Sequence, residues 1–185
     1  MLSIEKIIQK INRFFDHSDR RTCLDIFAAD PEIISILYFW RAVPLGTESI
    51  KFHCICKKNL CSASLEIWIT DRNNDLEKYL QKFTIDPEHY ERLLDRLKQD
   101  DLLDLKSYHS PVTDPVSYDI IFISNSESKF IGIVEPELNT PHWRLTNILE
   151  EFVGELRQQN LESGLVKLPP DTWWQWFTGR RKFPN

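Results

Sequence analysis

The sequence predicts an α+β fold: an antiparallel sheet built from two β-hairpins, with helices on one face. Three observations carry that expectation. Residues 50–56 and 61–71 alternate apolar and polar positions across a short polar turn, as do residues 116–124 and 129–135. Asp86-Pro87 and Thr140-Pro141 each place a capping side chain before a proline at the first helical position. Each start is followed by an apolar stripe at helical spacing: Tyr90, Leu93, Leu94 and Leu97 after the first, and Leu145, Ile148, Leu149, Phe152 and Leu156 after the second. The order from residue 50 onward therefore reads ββαββα.

The chain divides into three parts on this reading. Residues 1–46 form an N-terminal helical segment packed on the core, residues 47–168 the ββαββα core, and residues 169–185 a Trp-rich C-terminal tail. Within the first part, Ile4, Ile7, Ile8, Ile11, Phe14 and Phe15 make one stripe of an amphipathic helix over residues 2–15. Its opposite face mixes Glu5 with Lys6, Lys10 and Arg13, so docking on its own domain is favoured over a membrane surface, which rewards a basic face. Residues 16–21 are a charged break, and residues 22–29 a short helical turn. The run from Ile33 to Trp40 fits a buried helix or a buried strand; Asp30-Pro31 before it favours helix.

In the first hairpin, Ile50, Phe52, Cys54 and Cys56 share one face, and Cys61, Ala63, Leu65, Ile67 and Ile69 share one face of the partner strand. Residues 76–83 read as a short helix or a loop. Pro111 and Pro115 mark a loop before the second hairpin, and Gly164 with Pro169-Pro170 marks the exit from the last helix.

The totals narrow the function class. A chain of 185 residues suits one domain, or one domain with an N-terminal extension. Its formal charge is −5 with acids and bases interspersed, which argues against nucleic acid as a partner. No apolar run approaches the ~18 residues of a membrane span, and residues 1–15 lack a secretory core. The expectation is a cytoplasmic protein with no stable membrane span.

Several clusters invite chemistry. His53, Cys54, Cys56 and Cys61 resemble a zinc set, but zinc sites use paired knuckles and no second knuckle is present. On a strand, Cys54 and Cys56 point to one face and His53 to the other. Buried core cysteines are expected, with no metal and no cofactor. Cys56 and Cys61 face each other across the turn, and a disulfide between them requires an oxidising setting. His17, His89, His109 and His142 stand without any nucleophile or phosphate-cradling motif. Asp100, Asp101 and Asp104 follow Asp95 as a solvated acidic face, and no catalytic residue is assigned.

The tail holds Trp173, Trp174, Trp176 and Phe177, followed by Arg180, Arg181 and Lys182. Such aromatics bury ~150–250 Å² each. They pack on their own domain or anchor a partner, since Trp is enriched at interface hot spots. The four aromatics are the candidate partner-binding residues.

Asp114-Pro115-Val116-Ser117-Tyr118-Asp119-Ile120, a hairpin ending in Glu135-Pro136-Glu137-Leu138, and a helix carrying Leu145, Ile148 and Leu149 resemble the second half of emfourin-type proteins. Those are small ββαββα inhibitors of thermolysin-like metalloproteases. The resemblance covers residues 114–156 and assigns no inhibitory residue. It implies a non-catalytic, protein-binding module of inhibitor, immunity or adaptor kind with an unidentified protein partner. The other classes are a small enzyme using scattered histidines and acids, and a peripheral membrane or assembly factor using the tail.

Overall fold

The structure is a computed structural model that describes residues 19–43, 48–70, 76–111, 115–160 and 165–168. The expected helix over residues 2–15, His17 and the tail from Asp171 onward lie outside the described residues. The described chain begins with helix α1 over residues 19–29. Then come β1 (Ile33–Ala42), β2 (Glu48–Lys57), β3 (Leu60–Thr70), β4 (Leu76–Ile85), α2 (Pro87–Gln99) and a 3₁₀ turn (Leu102–Asp104). The remaining elements are β5 (Tyr108–His109), β6 (Ser117–Ser124), β7 (Ser128–Val134), α3 (Pro141–Gln159) and β8 (Val166–Lys167).

The fold is α+β. One eight-stranded sheet runs β5-β7-β6-β1-β2-β3-β4-β8. It is mixed, not purely antiparallel, because β5 pairs with β7 in parallel. Both expected hairpins are present as β2–β3 and β6–β7. Strands β1 and β4, read differently from the sequence, extend the first hairpin into a four-stranded meander, so the element order is not two successive ββα units.

Residues 33–40 form a strand where Asp30-Pro31 favours a helix. Asp30 instead closes a turn: its Oδ1 accepts from the Glu32 N–H at 3.0 Å, and its carbonyl accepts from the Ile33 N–H at 3.1 Å. Beyond the turn, the β-branched and aromatic run suits a pleated surface. β1 pairs with β2 on one side and β6 on the other, and Ile36, Leu37, Tyr38 and Phe39 are all buried. A central strand covered on both faces loses the alternation that would identify it. A bulge between Ile33 and Ser35 resets the register, bringing Ser35 opposite Cys56.

Residues 76–85 are likewise a strand, not a helix or loop. Tyr79, Gln81, Phe83 and Ile85 fall on the core side at period two. Gln81 is buried in that series, and its Nε2 donates to the Asn160 carbonyl at the end of α3. A polar residue in a core slot masks the pattern.

Both expected helix starts hold. The Asp86 carboxylate accepts from the Glu88 N–H at 3.0 Å, and Thr140 Oγ1 accepts from the Trp143 N–H at 3.3 Å. The predicted stripe of α3 is fully buried. α2 and α3 pack on one sheet face around Phe52, Leu65, Leu97, Phe122 and Phe152, with Phe52 edge-on to Phe152 at 6.0 Å. The helices are not confined to that face. α1 covers the other, where Cys23 packs with Ile36, Tyr38, Ile121 and Ile123.

Cys54, Cys56 and Cys61 point into the main core and His53 to the opposite face, as strand alternation requires. Cys56 and Cys61 are register partners with Cα atoms 4.1 Å apart and are joined as a disulfide. Of the three cysteines expected in the core, Cys56 and Cys61 are thus a bonded pair and Cys54 is a free thiol; Cys23 of α1, which the sequence reading did not place, is free and buried as well. Burial holds each free thiol proton tightly, pushing both pKa values up to about 12.

Candidate functional site

α2 and α3 lie antiparallel, side by side. His89 meets Phe152 edge-on at 5.2 Å, Arg96 approaches Glu151 at 3.5 Å, and Asp100 meets Arg144 at 2.6 Å. Between the C-terminal end of α2 and the N-terminal half of α3 lies a cleft of about 330 Å³. Trp143, half-buried, and Ile148, buried, supply its apolar floor. Arg96, Gln99, Asp100, Arg144, Asn147 and Glu151 make the rim.

Local rules place each of these. Thr140 caps α3 and so sets Trp143 in its first turn. Trp143, Asn147 and Glu151 then follow at four-residue intervals on one ridge, and Arg144 with Ile148 on the next. Arg96 and Asp100 repeat that interval on α2. Asn147 Nδ2 donates to Glu151 Oε1 at 2.8 Å, which steadies the carboxylate that faces Arg96. Both ion pairs across the cleft are half-exposed, with side chains 52% and 35% open in Arg144–Asp100 and 55% and 51% in Arg96–Glu151. Pairs this open contribute ~0.2–1 kcal/mol. Either arginine can therefore turn to a partner's carboxylate or carbonyl at small cost. An aromatic floor ringed by arginines, acids and amides is the composition found where a partner's side chain is gripped.

A second polar cluster joins the sheet to α3. Arg41 Nη2 donates to the Glu48 carbonyl at 2.8 Å, Arg41 Nη1 lies 3.6 Å from Glu150, and Arg157 Nη1 donates to both Glu48 oxygens. Tyr118 lies against Glu150; burial and then that carboxylate push its phenol above the usual range. Every carboxylate here is matched by a guanidinium, which suits a clamp between α3 and the strand ends.

The remaining sequence candidates fall elsewhere. The acids after α2 are not simply solvated: Asp100 pairs with Arg144 and Asp104 with Lys129. His142 Nε2 lies 2.9 Å from the Lys106 carbonyl and its ring lies tilted against Tyr108, while His109 is exposed. His53 is neutral at ordinary pH because burial, and then Lys51, lower its pKa to about 4. The structure does not bring these histidines together. Among the described residues no group of three or more His, Cys, Asp and Glu is placed to hold a metal ion. No described helix is long and apolar enough to cross a membrane. Trp173, Trp174, Trp176 and Phe177 lie outside the described residues. Of the cleft residues, the sequence reading named only Asp100, as part of an acidic face, and Ile148, as part of the apolar stripe; the four-residue spacing on two facing helices is the signal that could have found the site. No family model, curated relative or solved structure matches the chain.

Proposed function

We propose that this chain is a non-enzymatic protein-binding module of inhibitor, immunity or adaptor kind, and that it grips its partner at the α2–α3 cleft. The observation that carries this reading is the half-buried Trp143 floor inside a rim of loosely paired arginines and carboxylates. The Trp173, Trp174, Trp176 and Phe177 group supplies a second anchor in the same reading. The likeness of residues 114–156 to emfourin-type inhibitors points the same way.

Affinity capture from native lysate, compared between the unaltered chain and Arg144→Glu, tests the cleft. Arg144 is half-open to solvent, so reversing its charge leaves the core untouched. A partner bound through the cleft is retained by the first and lost by the second. Equal retention by both removes the cleft from the account.

A further inference from the structure

The acids and the arginines on the rim of the α2–α3 cleft are satisfied unequally. Arg144 Nη2 donates to Asp100 Oδ2 at 2.6 Å, a full charge-assisted bond. Glu151 is held twice: its Oε1 accepts from Asn147 Nδ2 at 2.8 Å, and its Oε2 faces Arg96. Arg96 has the loosest hold of the four charges, with Nη2 3.5 Å from Glu151 and a side chain more than half open to solvent. A guanidinium carries five N–H groups, and each of these ion pairs engages one nitrogen of it.

That inequality selects the sign of an incoming group. Repulsion from like charges is similar for either sign, since the rim holds two arginines and two acids. The difference lies in hydrogen bonding. A partner's cation has to draw Asp100 or Glu151 away from the guanidinium that holds it. A partner's carboxylate takes N–H groups that the existing pairs leave over, and its two oxygens match the planar guanidinium fork. Gln99, exposed three residues after Arg96, adds an amide donor to the same rim. Arginines this open hold a lone carboxylate only weakly. The floor of Trp143 and Ile148 supplies the rest by covering an apolar neighbour of that carboxylate.

We propose that the occupant of the cleft is a segment of a partner protein in which an acidic residue stands next to a large apolar one. The carboxylate bonds Arg96 first and Arg144 second, and the apolar side chain lies on Trp143 and Ile148. This inference rests on the reading of the cleft as the partner site and names the chemistry that the site selects.

Short peptides titrated into the full chain, followed by NMR at the Trp143 indole N–H and the Arg96 and Arg144 Nε–H signals, test this. Three peptides share the frame acetyl-Gly-Leu-X-Gly-amide, with X as glutamate, glutamine or lysine, and acetate is the fourth probe. The expected result is saturable movement of all three signals with the glutamate peptide, at least about fivefold tighter than with the other three probes. Arg96→Gln is expected to abolish that preference. Glu151→Gln, which frees Arg96, is expected to tighten the glutamate peptide by about twofold. Equal affinity for the glutamate and glutamine peptides, preference for the lysine peptide, or weaker glutamate binding in Glu151→Gln would overturn the proposal. Acetate as tight as the glutamate peptide would reduce the cleft to a simple anion site and overturn it too. So would cleft signals that move on dilution of the free chain, which identify a second copy as occupant, or no saturable movement with any probe. A lysate partner lost with Arg144→Glu, while the peptides fail to discriminate, leaves the cleft as the grip and removes only the acidic-apolar occupant.

Discussion

Arg157 on α3 and Glu48 on β2 are 109 residues apart in sequence, and one guanidinium nitrogen bonds both carboxylate oxygens, at 2.8 and 3.0 Å. Glu48 also lies within reach of Arg41, whose other contact is Glu150 on α3. The end of the last helix is thus tied to the sheet through charge as well as through its apolar stripe. Arg157 is 37% exposed and Glu48 27%, so solvent discounts the pair. A double-mutant cycle with Arg157→Ala and Glu48→Gln is expected to show a coupling of about 0.5–1 kcal/mol by denaturant unfolding. A coupling of zero would reduce this contact to a bystander of the α3 packing.

His53 makes stability depend on pH in a defined window. Its folded pKa, about 4, lies below the ordinary value of 6.5, so between these the unfolded chain binds the extra proton. Stability from this group is fully present above about 6.5 and is lost as pH falls toward about 4. The lost amount is roughly 3 kcal/mol for a shift of this size. Lys51, Asp19 and Glu66 surround the ring and set the background slope. Unfolding curves at pH 7 and pH 4.5 are expected to differ by less in His53→Gln than in the parent. An identical difference in the two proteins would show that the ring titrates normally.

The Cys56–Cys61 bond closes a short loop at the tip of the β2–β3 hairpin. Chain-entropy arguments give a cross-link over so few residues about 2 kcal/mol. Alkylation of the denatured, unreduced protein is expected to modify two of its four cysteines, Cys23 and Cys54. Four modified cysteines would mean that the pair is reduced in the isolated protein.

Phe52 is wholly buried at the centre of β2 and meets Phe152 of α3 edge-on. Phe52→Ala is expected to destabilise by about 3–5 kcal/mol, through lost transfer free energy and the cavity left behind. A loss below about 1 kcal/mol would contradict the placement of this strand face against α3.

Much of the second half was legible because its signals are local. Asp86 and Thr140 cap with their own side chains, and the stripe from Leu145 to Leu156 falls on one helix face. The first half was harder because its signals are tertiary. Ile36 to Phe39 are apolar on both faces, and only pairing with β2 and β6 shows that they form a strand. Gln81 sits in a core position because the Asn160 carbonyl, 79 residues away, receives its amide. The cleft was not legible for the same reason: Arg96 and Asp100 acquire meaning only once α3 lies beside them.

Photocross-linking from position 147, between Trp143 and Glu151 on the cleft wall, tests the central claim most directly. A photoreactive residue there is compared with one at Glu91, an exposed position on α2 that does not line the cleft. The account predicts a discrete cross-linked protein from position 147, absent from position 91 and abolished by Arg144→Glu. Cross-linking of equal yield from both positions, or persistence in the folded Arg144→Glu variant, would contradict it.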